Sequence, residues 1–154
     1  MVSRALSVVA IGAAVAAAPG SAARSVSHAA YAKLLQQANA KVTRVETPLE
    51  RAFGSKQTTV AGLRKLMLAS AAVSVELGHE FAAVKPPETA AQKAGGALSR
   101  GELDLGAETR ALALRLPASK AAALAFLQRQ HPKLGPEVDR ALTRLKAAGY
   151  RTAS

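Results

Sequence analysis

The sequence contains no cysteine and no tryptophan, and it has only three phenylalanines and two tyrosines. The first absence excludes disulfides, thiolate metal sites and cysteine nucleophiles together, so packing alone must hold the chain. With aromatics at 3% of residues, the core falls to leucine, valine and alanine. Leucine and alanine favour helix, whereas the aromatics and isoleucine that favour strands are scarce. An all-α fold follows. Acidic residues are few as well: 10 against 21 lysines and arginines, for a net charge of +11.

What is present begins with an N-terminal export signal. Met1-Val2-Ser3-Arg4 gives a positive n-region, Ala5–Ala18 an apolar h-region, and Pro19-Gly20 a break. Ser21-Ala22-Ala23 supplies small residues for cleavage after Ala23. The alternative, an uncleaved membrane anchor, requires a helix long enough for a ~30 Å hydrocarbon core, and this segment is too short. The expected organisation is a signal peptide over 1–23 and one domain over 24–154, with no membrane span after cleavage. Strong basicity often marks nucleic-acid binding, but export argues against that partner. An anionic lipid, a wall polymer or an acidic protein fits a protein of the cell envelope better.

The mature chain reads as four helical segments. Ser25 or Ser27 caps the first, whose seam Tyr31, Leu35, Ala38, Val42, Val45, Leu49 and Ala52 advances in alternating steps of four and three. Pro48 falls inside it, so the helix kinks or restarts there. Thr58 or Thr59 caps the second segment, Thr59–Val84, the longest apolar run beyond the N-terminus. Leu63, Ser70, Leu77 and Val84 repeat every seventh position in it, interleaved with Met67, Ser74 and Phe81. Only Lys65, Glu76, His79 and Glu80 leave a polar ribbon, so this helix is expected to be the most buried. Lys85-Pro86-Pro87 ends it, and Pro87-Glu88 opens the third with an acid in the first turn.

The third segment carries Ala91, Leu98, Leu105 and Leu112, but also Gly95, Gly96, Gly101 and Gly106. Each glycine costs about 1 kcal/mol in a helix interior relative to alanine, and parts of the segment also alternate as a hairpin would. Helix is favoured over hairpin because leucine and alanine are poor strand residues. The last segment, from Pro117-Ala118-Ser119, aligns Leu124, His131, Val138 and Leu145 with Leu127, Leu134, Ala141 and Ala148. Pro132 and Pro136 predict a kink or break in it, and Gly149 a C-terminal cap with Tyr150 packing back. Short connections between four such segments predict an up-down-up-down four-helix bundle.

Tyr31 with Gln37-Ala38-Asn39-Ala40, Pro86-Pro87, Leu134-Gly135 and Ala148-Gly149-Tyr150 carry a resemblance. On those motifs the chain resembles a loose group of small exported helical-bundle proteins of high-GC Gram-positive bacteria. Members often have one cysteine on the first helix and one near the C-terminus. Leu35 and Arg151 stand in those neighbourhoods here, so the disulfide is absent. The resemblance implies fold and export, and no activity.

Sites with chemistry are sparse. Glu76-Leu77-Gly78-His79 has the Glu-x-x-His spacing of di-iron bundles, but there is no second copy and the residues sit on the polar ribbon. His131 occupies an apolar seam, where a histidine bonded to a carbonyl freed by Pro132 or Pro136 is the simpler account. Glu102 and Glu108 approach the core side of the third segment without a partner base. No nucleophile elbow, phosphate loop or paired carboxylates are found, so neither catalysis nor a metal or cofactor is expected. On one continuous helix, Arg129, Lys133, Arg140, Arg144 and Arg151 share a sector of roughly 60°. They are the candidate anion-contact residues of a non-catalytic envelope protein. The alternative is a small metal- or ligand-binding bundle that uses Glu76 and His79 or the bundle interior.

Overall fold

The computed structural model describes residues 22–130 and 135–151. The signal peptide expected over 1–23 lies outside them apart from Ala22 and Ala23. The chain is all-α. Its helices are α1 (His28–Gly54), α2 (Val60–Ala83), α3 (Thr89–Leu114), α4 (Lys120–Gln130) and α5 (Pro136–Ala147). Two short strands, β1 (Arg24–Ser25) and β2 (Val84–Lys85), pair in parallel. β1 thus ties the chain ahead of α1 to the end of α2.

Local signals set most helix ends. Ser27 caps α1 by accepting from the Ala30 amide at 3.2 Å, and Thr59 caps α2 by accepting from the Gly62 amide at 3.1 Å. α1 runs as one helix through Pro48, so the chain does not restart there. α2 ends at Ala83, two residues ahead of Lys85, because Val84 and Lys85 are drawn into β2. Glu88 occupies the N-cap of α3, not its first turn, and makes no side-chain cap. Its carboxylate instead accepts from the Tyr150 hydroxyl at 2.5 Å and bonds His28 Nδ1 at 2.8 Å. The His28 and Tyr150 rings stack with centroids 4.1 Å apart. This contact joins the start of α1, the start of α3 and the chain beyond α5.

Neighbouring helices run antiparallel. Lys41 on α1 bonds Glu76 and Glu80 on α2 at 2.7 and 2.6 Å, while Ala52 clusters with Leu63 and Met67. Gly78 on α2 faces Ser99 and Leu103 on α3, while Ala71 and Val75 face Gly106. Gly101 on α3 faces Val138 on α5. Along the last segment, where Pro132 and Pro136 predict a kink or break, the described residues form two helices: α4 packs Ala123 and Leu127 against the Leu63–Leu112 end, and α5 packs Val138, Ala141 and Leu145 at the Tyr31 end. Gly135 caps α5 in the left-handed region, φ 71°, ahead of Pro136, which has no amide proton to donate. Residues 131–134, including Pro132 and Leu134, lie outside the described residues. Gly149, at φ 92°, closes α5, and the Tyr150 amide returns to the Leu145 carbonyl at 3.1 Å.

The segment expected to be most buried is not. α3 buries 11 of its 26 residues, whereas α2 buries 7 of 24. The glycines that made α3 the weakest helix in the sequence are the reason. A Cβ on Gly106 would lie 2.7 Å from Val75 Cγ2 and 2.9 Å from the Ala71 carbonyl oxygen, and one on Gly95 would lie 2.6 Å from the Tyr31 hydroxyl. A Cβ on Gly101 would meet the Val138 backbone nitrogen at 3.1 Å. Each of these glycines is the place where another helix comes close. The lost helix propensity is offset by packing on several sides.

Gly96 is different: a Cβ there would meet only Arg100 Nη1, at 3.7 Å. Gly96→Ala should therefore stabilise the protein by about 1 kcal/mol through propensity. Gly106→Ala should destabilise it by about 1–3 kcal/mol through overpacking. Urea denaturation followed by circular dichroism separates the two signs. Equal gains from both would show that α2 and α3 are not in backbone contact at Gly106.

Candidate functional site

The buried apolar residues fall into two clusters. One contains Tyr31, Leu35, Leu77, Phe81, Leu98 and Leu145; the other contains Leu63, Met67, Leu112, Leu116 and Leu127. Between them lies a cavity of about 560 Å³, within the range of small-molecule sites. The first helix's expected seam forms one wall: Val42, Val45 and Leu49 are only half-buried, and they face the cavity. Leu77 and Val73 of α2, Leu98 and Leu105 of α3, and Val138 and Leu142 of α5 close the others. α1 packs chiefly on α2, which leaves the gap toward α5 open.

Polar groups enter this apolar space at chosen points. Of the buried polar residues Ser74, Ser99, Glu102 and Thr109, all but Ser99 line the cavity. Ser99 instead donates to the Gly78 carbonyl at 2.8 Å and stitches α3 to α2. Glu102 is 6% exposed, and its Oε2 has no hydrogen-bond partner among the described residues. Burial pushes its carboxyl above the usual range; hydrogen bonding from Ser74 opposes the shift, and the charge of Glu46 adds to it. Glu46 at the mouth is also raised, by partial burial first and by neighbouring Glu50 second. Glu46, Glu50, Glu102 and Asp139 all line the cavity, and no lysine or arginine among the described residues does.

The residues singled out in the sequence lie elsewhere. Glu76 and Glu80 are both held by Lys41 Nζ, and His79 is exposed on the same outer ribbon. Among the described residues, no three His, Cys, Asp or Glu side chains converge as metal ligands would. His131 and Lys133 lie outside the described residues. Arg129 is exposed on α4, Arg140 and Arg144 are exposed on α5, and Arg151 is exposed beyond it. The common sector assumed one continuous helix, and two helices carry these side chains. Arg140 further bonds Glu137 at 3.1 Å and the Pro136 carbonyl at 3.1 Å. Of the two acids noted on the third segment, Glu108 is exposed and Glu102 is the buried one. An acid at a core register within a leucine-rich helix was the one available signal for the cavity. Sequence spacing carried nothing about the space facing it.

The chain matches no protein-family model, no curated protein and no solved structure. No helix among the described residues is long and apolar enough to cross a membrane.

Because burial raises Glu102, its contribution to folding is fully present below the ordinary value of 4.5 and is lost as pH rises through the folded value. Glu102→Gln removes that ionisation while keeping the shape. The variant should melt above the wild type at neutral pH, and the gap should close as pH falls toward 4.5. Thermal melts across that range check this. A wild type that melts higher at neutral pH would mean that the carboxylate has a stabilising partner.

Proposed function

We propose that the protein is a non-catalytic binding protein of the cell envelope, whose cavity takes the apolar body of a small ligand. The observation that carries this is the cavity itself, an apolar space of about 560 Å³ between two packed clusters. A single-domain protein with a well-filled core has few voids larger than a water molecule. Half-exposed Val42, Val45 and Leu49 present an apolar wall whose covering stabilises by roughly 25 cal/mol per Å². Among the described residues the acids of the site have no paired base to work with, so binding is favoured over turnover. Export rests on the Met1–Ala23 sequence.

Nile red, an uncharged apolar fluorophore, tests the reading. Wild type should bind it with a blue-shifted emission, and Val45→Trp, which fills the cavity from α1, should reduce binding about ten-fold or more while leaving helicity unchanged. Wild-type emission like that of free dye, or unaltered binding by Val45→Trp, would sink the proposal.

The exposed arginines support a second, compatible role: holding the protein at an anionic surface such as lipid headgroups, wall polymers or an acidic protein face. Arg129, Arg140, Arg144 and Arg151 all project outward, and near a strongly anionic surface each basic residue contributes about 1 kcal/mol. Arg140→Glu with Arg144→Glu should abolish co-sedimentation with phosphatidylglycerol vesicles at low salt. Undiminished co-sedimentation would reduce these residues to a solvated face.

A further inference from the structure

The distribution of charge around the cavity identifies the chemistry of its ligand. The chain carries 21 basic and 10 acidic residues, so a cavity lined at random would be mostly basic. The reverse holds: Glu46, Glu50, Glu102 and Asp139 line it, and no lysine or arginine among the described residues does. Glu46 and Glu50 are exposed on α1 and Asp139 is exposed on α5, so these three surround the mouth. Glu102 is 6% exposed on α3, and its Oε2 has no hydrogen-bond partner among the described residues. A buried carboxylate oxygen without a donor is costly. It becomes useful when a ligand brings the donor.

We propose that the cavity binds an amphiphilic cation, an ammonium group on an apolar body, with Glu102 accepting from the ammonium and Val42, Val45 and Leu142 covering the body. This rests on the cavity being a binding site and adds the head-group to it. A bare divalent metal fits less well, because no three carboxylates converge among the described residues and a metal has no use for the apolar walls. A neutral amphiphile would leave the acids at the mouth without purpose. An anionic one would face four carboxylates. The protein's overall charge of +11 repels cations, so any preference for one must arise in the lining.

The groups around Glu102 set the pH dependence. Glu46 and Glu50 face the cavity from α1 and Asp139 from α5. α2 contributes uncharged Ser70 and Ser74, and α4 contributes Leu127. Burial favours the neutral form of Glu102 in the empty cavity, and an ammonium favours the carboxylate. Cation binding should therefore weaken as pH falls.

Decylamine, decanol and decanoate share one alkyl chain and differ in the head. Their displacement of Nile red at neutral pH, kept below micelle formation, tests the inference. Decylamine should compete at roughly ten-fold lower concentration than decanol, the scale of a hydrogen bond to a charged group, and decanoate should compete worst. Glu102→Gln should bring decylamine close to decanol. Lowering the pH of the unmodified protein toward 4.5 should narrow the same ratio, and that measurement needs no variant. Equal competition by decylamine and decanol overturns the head-group inference and leaves the cavity intact as an apolar site. So does a ratio that neither Glu102→Gln nor low pH moves. Failure of Nile red and of all three amphiphiles to bind overturns the cavity reading as well.

Discussion

Backbone-distance packing between α2 and α3 is the contact on which the rest of the structure depends. Gly78 and Gly106 remove the side chains that would hold the two helices apart, with Leu103 and Val75 filling the space instead. Ser99 adds a buried hydrogen bond to the Gly78 carbonyl at 2.8 Å. Dispersion energy falls steeply with separation, so a close approach over much of two long helices makes a rigid slab. α5 joins the same slab where Gly101 admits Val138. In a chain without disulfides, this slab takes the place of a covalent brace.

The cavity is the counterpart of that slab. α1 lies against α2 through the Lys41 ion pairs and the Tyr31–Phe81 contact, but it has no glycines at its inner face to bring it down on α5. Its ends are held, at Tyr31 with Tyr150 and at Ala52 with Met67, and its middle spans open space. Ser74, Glu102 and Thr109 project there from α2 and α3. The apolar core is divided in two by a space whose lining is itself mostly apolar, with acids at a few points of it. The buried carboxyl of Glu102 on the cavity side and the exposed arginines of α4 and α5 set charges of opposite sign on different parts of the molecule.

The sequence determined the class of fold and most of its punctuation. Leucine and alanine in place of aromatics made it helical, Ser27 and Thr59 started two helices, and Gly149 with Tyr150 ended the last. These are local choices, decided within one turn of chain, so they are visible in a string of residues. The tertiary structure decided which helix is central and where the space lies. Glycine reads as a helix breaker when only its own backbone is considered, and as a packing surface once a second helix is placed against it. In the same way Val42, Val45 and Leu49 have the spacing of a filled seam, and nothing in that spacing states whether α5 reaches them. Glu102 was legible as an acid at a core register. That its Oε2 lacks a partner among the described residues, and that three other acids line the same cavity, is a relation among α1, α3 and α5 that exists only after they pack.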